Sequence, residues 1–259
     1  MVSNDYGIFA NELVYGYGSG LVLNGATVAL KQGELYGLLG KNGAGKSTFI
    51  RALCGFMKPA SGEIVVAGVD VMKDPVSLRR HIGVVSEDVE VYEKLTAVEF
   101  LVFAGQMHGL AAKEARARAN ELLAMLELSA AADRAIHGFS LGMKKKTAFA
   151  AALIHTPSVL FLDEPFNGVD AASVRELCNL LLWLTSERGV TILLTSHVTE
   201  MIQRLCTRVE FLIDGKIVNE ETARDRYEES LGHNASLEDL LIAISIEGNA
   251  TRQGIGFWS

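Results

Sequence analysis

The 259-residue sequence contains only three cysteines, Cys54, Cys178 and Cys206. They lie far apart in the chain, so they fit neither a disulfide framework nor the close spacing of metal ligands. We therefore expect a protein of a reducing compartment, in which these cysteines serve as packing residues.

Long apolar runs are also absent from the sequence. No uninterrupted apolar stretch approaches the roughly 20 residues that a membrane-spanning helix needs. The first residues, Met1-Val2-Ser3-Asn4-Asp5-Tyr6, lack the charged and apolar regions of a secretory leader. The sequence thus predicts a cytoplasmic protein, and any role at a membrane must be peripheral.

Basic residues are outnumbered by acidic ones, 24 to 31, which gives a formal net charge of −7. General nucleic-acid binders draw their affinity from clustered basic groups, so we expect no nucleic-acid partner. The hydrophobic content of 49% is enough for a substantial core. At this length it favours one large α/β domain with an insertion over two independent domains.

The sequence does contain a glycine-rich segment, which we call the phosphate loop: Gly40-Lys41-Asn42-Gly43-Ala44-Gly45-Lys46-Ser47-Thr48. It follows an apolar run at 35–39 and precedes a run compatible with a helix. The glycines let successive N–H groups converge on phosphate oxygens, and the following helix adds its positive dipole end. Lys46 supplies a full charge and Ser47 a hydroxyl for Mg²⁺. The loop predicts binding of ATP or GTP.

Two adjacent carboxylates follow a second apolar run, Val159-Leu160-Phe161-Leu162. Neighbouring residues of an extended chain point in different directions, so Asp163 and Glu164 can hold different roles. We expect Asp163 to support the Mg²⁺ ion opposite Ser47, and Glu164 to polarise an attacking water.

The order of strand and helix patterns predicts an α/β fold with a mainly parallel sheet and crossover helices. Antiparallel strands are expected in the first 35 residues, and a helical insertion at about 86–155 includes a capping box at Thr96 and Glu99. We predict one domain over 1–223 and a C-terminal appendage over 224–259, with one helix after Ser236. The patterns predict strands at 64–67, 82–85, 159–162, 190–194 and 209–213, and helices at 48–57, 96–106, 112–128 and 171–187.

A further pattern, Phe139-Ser140-Leu141-Gly142-Met143, lies just before the Asp163-Glu164 strand. At this position it resembles the Leu-Ser-Gly-Gly-Gln signature of ABC transporter ATP-binding subunits, and the resemblance extends over roughly residues 8–245. Tyr17, the segment Gly168-Val169-Asp170 and His197 match further motifs of that family in the same order. The resemblance implies a P-loop NTPase core with an N-terminal antiparallel β subdomain and an inserted α-helical subdomain.

The same resemblance implies a role for each matching residue. Tyr17 would stack on adenine, and Ser140 and Gly142 would contact the γ-phosphate of ATP held by an opposing subunit. Asp170 would belong to the loop between subunits. His197 would contact the γ-phosphate and act with Lys46 and the catalytic Glu164. The other five histidines have no motif context, and we expect them on surfaces or at helix ends.

Three positions depart from the family pattern. Glu87 stands where the family usually has Gln at the end of the strand before the insertion, and its carboxylate can still offer an oxygen to Mg²⁺ while adding negative charge. Leu141 and Met143 replace Gly and Gln in the signature. The following Lys144-Lys145-Lys146 favours a solvated basic patch. The alternative is that one lysine meets an acidic loop or the partner's triphosphate.

The resemblance implies an ATP-binding and ATP-hydrolysing subunit of the bacterial exporter type. Two chains would dimerise around two ATP and Mg²⁺ and move a substrate, by export, through a separate transmembrane permease subunit at the inner face of the membrane. A homodimer is sufficient, and a heterodimer is the alternative. A soluble ABC-type ATPase acting in macromolecular assembly is a competing interpretation. A third interpretation is a module that binds ATP only as a structural ligand. The presence of all four residues expected for hydrolysis argues against it: Lys46, Asp163, Glu164 and His197.

Overall fold

The computed structural model describes residues 5–18, 20–197, 199–231 and 236–250. Within these ranges the strands are β1 Tyr6–Tyr17, β2 Gly20–Lys31, β3 Leu35–Leu39, β4 Ser61–Val66, β5 Val69–Asp70, β6 Ile82–Val85, β7 Val159–Asp163, β8 Thr191–Ser196, β9 Arg208–Ile213 and β10 Lys216–Asn219. The α-helices are α1 Lys46–Leu53, α2 Pro75–Leu78, α3 Ala97–Met107, α4 Ala112–Met125, α5 Leu141–Leu153, α6 Ala171–Arg188, α7 Thr199–Leu205, α8 Glu220–Leu231 and α9 Leu237–Ala250. The predicted absence of a leader concerns residues 1–6, of which residues 1–4 lie outside these ranges.

An antiparallel sheet with the order β2-β1-β4-β5 forms the N-terminal part. β1 pairs with both β2 and β4, and its register shifts at several points along the chain. The apolar residues Ile8, Ala10 and Leu13 of β1 are fully buried and belong to a core shared with α1. The antiparallel N-terminal region predicted from the sequence is confirmed.

A second sheet, with the order β10-β9-β3-β8-β7-β6, forms the centre of the fold. All neighbouring strands are parallel except β10, which pairs antiparallel with β9. β3 and β8 are buried along their whole length, as expected for a parallel sheet that is covered on both faces. Leu39 pairs with Ser196, and Asp163 pairs with Thr195. The carboxyl ends of β3, β8 and β7 therefore lie side by side, and the loops that follow them meet.

Three helices, α3, α4 and α5, make up the insertion, and residues 86–155 contain no strand. The capping box is present, since Thr96 Oγ1 accepts from Glu99 N and Glu99 Oε2 accepts from Thr96 N. On α4, Arg118 pairs with Glu114 at 2.7 Å, which is the i,i+4 contact that the sequence indicates. The helical insertion is confirmed, and the exact domain boundaries stay predictions.

The C-terminal region differs from the sequence prediction. Helix α8 precedes the predicted helix after Ser236, so the expectation of a single helix is wrong. The sequence of α8 is largely polar, and among its described side chains, those of residues 220–227, a narrow face with the buried Ala223 and Tyr227 packs on the core. Such a stripe is too narrow to give a clear helical period. The boundary predicted at residue 223 falls inside this helix. None of the described helices is both long and apolar enough to cross a membrane.

Two of the histidines without motif context form a stacked pair. His108 caps the end of α3, His155 follows α5, and their ring centroids are 3.6 Å apart at an angle of 3°. His155 Nε2 lies 2.9 Å from the carbonyl oxygen of Ile82, and Nδ1 is buried without a partner among the described residues. Because a carbonyl only accepts, Nε2 carries the proton of a neutral ring. His233, another histidine of this group, lies outside the described residues.

Acidification is expected to destabilise the fold through this pair. Burial first, and then the neighbouring His108, lower the pKa of His155 to about 4. The unfolded chain binds this proton near pH 6.5, so the free energy of unfolding should fall as the pH drops from about 6.5 toward 4. Urea unfolding at pH 7.5 and 5.0 measures this, with His155→Gln as the control because its amide can still donate to Ile82. An equal pH dependence in the two proteins would contradict the assignment.

Candidate functional site

The phosphate loop joins the end of β3 to the start of α1. Gly43 has φ 77° and Gly45 has φ 105°, conformations that favour glycine. A Cβ atom at Gly45 would lie 2.7 Å from Val22 Cγ1, so the loop also needs glycine there for space. Gly45 caps α1 without a side-chain hydrogen bond. The first amides of α1 can therefore donate to an anion.

Lys46 is the first residue of α1, and its side chain turns back over the loop. Its Nζ donates to the carbonyl of Gly40 at 2.8 Å and lies 3.4 Å from Glu164 Oε1. The side chain is 7% exposed. A buried ammonium group in this place is held by a carbonyl and a carboxylate, which fixes where its charge is presented.

Glu164 directly follows β7 and is held by both its main chain and its side chain. Its φ of 46° is unusual for a residue other than glycine. Its backbone N donates to the carbonyl oxygen and the Oγ1 of Thr195. Its Oε2 accepts from His197 N at 3.2 Å and lies 2.9 Å from His197 Nδ1. The side chain is only 8% exposed and is held between Lys46 and His197.

Asp163 and Glu87 lie beside Glu164 with separate supports. Asp163 Oδ1 accepts from Thr195 Oγ1 at 2.7 Å. Glu87, in the loop that follows β6, accepts from Asn167 Nδ2 at 3.2 Å through Oε1. Each of the two carboxylates thus has a hydrogen-bond partner on a different segment of the chain.

These groups line one cleft of about 630 Å³, within the size range of small-molecule sites. The structure brings together eleven of the predicted residues here: Tyr17, Asn42, Gly43, Gly45, Lys46, Ser47, Thr48, Glu87, Asp163, Glu164 and His197. Gly40 and Ala44 belong to the same loop but do not line the cleft. Val22 and Asn167 also line it and were not predicted. Val22 has no sequence signal other than its place on a strand.

Tyr17 and His197 are two exposed members of the cleft. Tyr17 is 56% exposed, and its ring packs edge-on against Tyr15 with the centroids 5.1 Å apart. The side chain of His197 is 45% exposed. An aromatic face at the rim of the cleft is available to stack on a planar base.

Ser140, Gly142 and Asp170 do not line this cleft but form a second cluster. Ser140 caps α5 by accepting from Met143 N, and Asp170 caps α6 by accepting from Ser173 N. Hydrogen bonds from the backbone and the side chain of Ser173 lower the pKa of Asp170. A Cβ atom at Gly142 would lie 2.8 Å from Asp170 Oδ2, so the two helix starts adjoin. The cluster combines two helix N-termini, which favour anions.

The three lysines after the signature are not a solvated patch, and that expectation is wrong. Lys144 pairs with Glu93, and Lys146 pairs with Glu176 on α6. Lys145 is buried and donates to the carbonyl oxygens of Ser86 and Glu87. The three lysines have partners in three different directions, because successive positions of a helix point to different sides. The alternative from the sequence, in which one lysine meets an acidic loop, is the one that the structure shows, and the lysine is Lys145.

The donors at the cleft fit Mg²⁺ bound together with a triphosphate. Ser47 offers a hydroxyl, and Asp163 and Glu87 offer carboxylates. No group of three or more His, Cys, Asp or Glu side chains in the described ranges could hold a metal ion. Mg²⁺ commonly retains waters and takes phosphate oxygens together with one or two carboxylates. One hydroxyl and two carboxylates beside a phosphate loop match this preference.

Comparisons with known proteins agree with this geometry. The family model described as ABC transporter matches residues 23–167. The linearmycin resistance ATP-binding protein LnrL of Bacillus subtilis (strain 168) is 38% identical over 216 residues, which cover 83% of this chain and 69% of that protein. The bacitracin transport ATP-binding protein BcrA of Bacillus licheniformis is 37% identical over 213 residues, which cover 82% of this chain and 69% of that protein.

Solved structures give the same result. A structure described as the ATP binding subunit of an ABC transporter has a TM-score of 0.80 and 30% identity, and the match covers 92% of this chain and 98% of that one. A dimeric ATP-binding cassette in a post-hydrolysis state, bound to ADP and Pi, has a TM-score of 0.74 and 26% identity. That match covers 81% of this chain and 96% of the cassette.

Proposed function

This chain belongs to the ABC transporter family, and we propose that it powers export through a separate membrane permease, from the inner face of the membrane. Binding and hydrolysis of ATP to drive transport are the activity of the family and of this chain. The single observation that carries the assignment of residues is the cleft in which Lys46, Glu164 and His197 meet. Export is supported by the relatives, which are named for linearmycin resistance and bacitracin transport.

We propose that the cleft residues divide the work of hydrolysis. The amides of the phosphate loop and Lys46 hold the triphosphate. A bound triphosphate competes with Glu164 for Lys46, and the carboxylate of Glu164 is then held by His197. Glu164 Oε1 becomes free to accept a proton from the attacking water, while Tyr17 stacks on the base. Bound Mg²⁺, held by Ser47, Asp163 and Glu87, would neutralise charge that develops on the phosphates.

We propose that Ser140, Gly142 and Asp170 serve the ATP of a second copy of the chain. They do not line the cleft of their own chain, yet their two helix N-termini are suited to an anion. A head-to-tail pair would place each cluster opposite the partner's cleft, so two ATP molecules would be shared. Hydrolysis would remove the shared contacts and open the pair.

The docking surface proposed for the permease is a groove of about 310 Å³ beside Glu87. It lies between the helical insertion and β6. A movement of the insertion relative to β6 would therefore change the shape of the groove. Phe56, which lines the groove, is 61% exposed, and Met107, the chain neighbour of the lining residue His108, is 73% exposed. The lining includes Phe56, Arg79, Val84, Ser86, Asp88 and His108. An apolar loop of a membrane protein could enter here and sense the position of Glu87.

Replacement of Glu87 by Gln is expected to raise the Mg²⁺ concentration needed for half-maximal ATP hydrolysis, by about three- to tenfold. The change removes one negative charge near the metal but keeps an oxygen donor and the contact with Asn167. Titration of Mg²⁺ at fixed ATP concentration measures this. The control is Glu114→Gln, which removes an exposed carboxylate from α4. An unchanged Mg²⁺ dependence in Glu87→Gln would exclude Glu87 from the metal site.

Recovery of a permease tests the proposed function. The Glu164→Gln chain is purified by affinity from gently solubilised membranes with ATP and Mg²⁺, and the proteins that accompany it are identified by mass spectrometry. We expect a membrane protein with several spans in a stoichiometric amount. Recovery of a soluble assembly complex instead would contradict transport, although the nucleotide chemistry would remain.

A further inference from the structure

Lys145 is the most deeply buried charged side chain among the described residues, with 1% exposure. It lies in the second turn of α5, three residues after Gly142. Its Nζ donates to the carbonyl of Ser86 at 3.3 Å and to the carbonyl of Glu87. A buried ammonium group is costly unless its hydrogen bonds and charge are compensated. The loop at 86–87 therefore provides the partners that this lysine requires.

The two neighbouring lysines show that this arrangement is specific to Lys145. Lys144 and Lys146 each pair with one carboxylate, on Glu93 and Glu176. Lys145 bonds to main-chain oxygens instead. Burial lowers the pKa of Lys145, and the negative charges of nearby acidic groups oppose that shift: Glu87, Asp88, Asp163 and Glu164. Lys145 does not line the cleft itself. Its contact with the cleft is therefore indirect and runs through the loop at 86–87.

Glu87 is held from two sides. Lys145 holds its main chain to α5, while Asn167 holds its carboxylate to the loop before α6. The signature residues Ser140 and Gly142 begin the same helix that carries Lys145. A displacement of α5 would therefore move the signature cluster and the main chain of Glu87 together.

We infer that Lys145 is a positioning residue that ties the 86–87 loop to α5 and balances the charge of Glu87, so that the loop and the signature cluster move as one unit. This inference rests on the proposed function, since the consequence that it predicts is a change in ATP hydrolysis. The usual Gln at position 87 brings no charge to balance. A lysine at position 145 and a glutamate at position 87 are accordingly expected to depend on each other.

A double-mutant cycle with Lys145→Met and Glu87→Gln tests this dependence. Lys145→Met keeps nearly the length of the side chain and removes its charge and donors. We expect kcat for ATP hydrolysis to fall about tenfold while KM for ATP stays within about twofold, because misplacement of a positioned group affects the chemical step more than binding. In the Glu87→Gln background the same change should lower kcat by about threefold or less, because residue 87 then carries no negative charge for Lys145 to balance.

Lys146→Met is the matched control, because it removes a buried lysine from the next position of the same helix. Its effect on kcat should be the same in the wild-type and the Glu87→Gln backgrounds. Equal effects of Lys145→Met in the two backgrounds would overturn the inference. If Lys145→Met does not fold, Lys145→Gln enters the same cycle, with the same expected dependence on residue 87.

Hydrogen exchange provides a readout that does not depend on hydrolysis. Lys145→Met should raise exchange at least about tenfold in a peptide covering 86–90, because the loop loses its anchor on α5. Lys146→Met should leave this peptide unchanged. Unaltered exchange at 86–90 in Lys145→Met would overturn the inference. A wild-type chain that does not hydrolyse ATP would instead contradict the proposed function, and the exchange result would still test the role of Lys145.

Discussion

The Glu164→Gln variant is expected to bind ATP with an affinity close to that of the wild type and to hydrolyse it at least about 100-fold more slowly. Gln fills the same space and can accept from His197 N, so the shape of the cleft is retained. It cannot take a proton from water. Because Glu164 is the carboxylate that is held by both Lys46 and His197, no neighbour in the described part of the cleft is placed to replace it. Steady-state phosphate release and equilibrium binding of ATP measure the two properties separately.

Glu114→Gln controls for the loss of a negative charge far from the cleft. Glu114 pairs with Arg118 on the surface of α4, so the hydrolysis rate of this variant should match the wild type. Turnover at the wild-type rate in Glu164→Gln would remove Glu164 from the catalytic role. A parallel loss of ATP binding would show that Glu164 acts in binding rather than in the chemical step.

The second large effect is expected for Lys46→Ala, which should weaken ATP binding by at least about 100-fold. Among the described residues, Lys46 is the one lysine or arginine that lines the cleft, and its removal also leaves Glu164 without its positive neighbour. A triphosphate would then meet the unbalanced charge of Glu164. Isothermal titration calorimetry with ATP and Mg²⁺ measures the affinity.

Lys41→Ala is the control within the same loop. Lys41 does not line the cleft, and its carbonyl, which Lys46 Nζ approaches at 3.5 Å, is kept. We expect an affinity within about twofold of the wild type, as for a surface substitution. Equal losses in Lys41→Ala and Lys46→Ala would indicate that general positive charge, rather than the position of Lys46, binds ATP.

The fold was largely predictable because its main signals are local in the chain. Each buried strand reads as a short apolar run, and the capping box at Thr96 and Glu99 marks the start of α3. The phosphate loop could be placed for the same reason, since its glycines and Lys46 are adjacent. Helix α8 and strand β10 were missed, because a polar helix with a narrow buried face and a short antiparallel edge strand carry little local signal.

The parts of the site that could not be predicted depend on contacts between distant segments. Asn167 supports Glu87 across 80 positions of the sequence, and Lys145 reaches the same loop from α5. Nothing in the local sequence distinguishes Lys145 from Lys144 or Lys146. Only the packing of α5 against the segments around it assigns each lysine its partner. The local sequence therefore favours a solvated patch for this run of three cations, whereas each lysine has a specific contact.

The mass of the Glu164→Gln chain in solution tests most directly whether two chains share ATP. Sedimentation equilibrium with ATP and Mg²⁺ should shift this 28.0 kDa chain from monomer to dimer, and removal of ATP should reverse the shift. Ser140→Asp in the same background keeps an acceptor for Met143 N but sets a carboxylate against the partner's phosphates, so it should stay monomeric. A Glu164→Gln chain that binds ATP and remains a monomer, or an equal dimer with Ser140→Asp, would contradict the shared site.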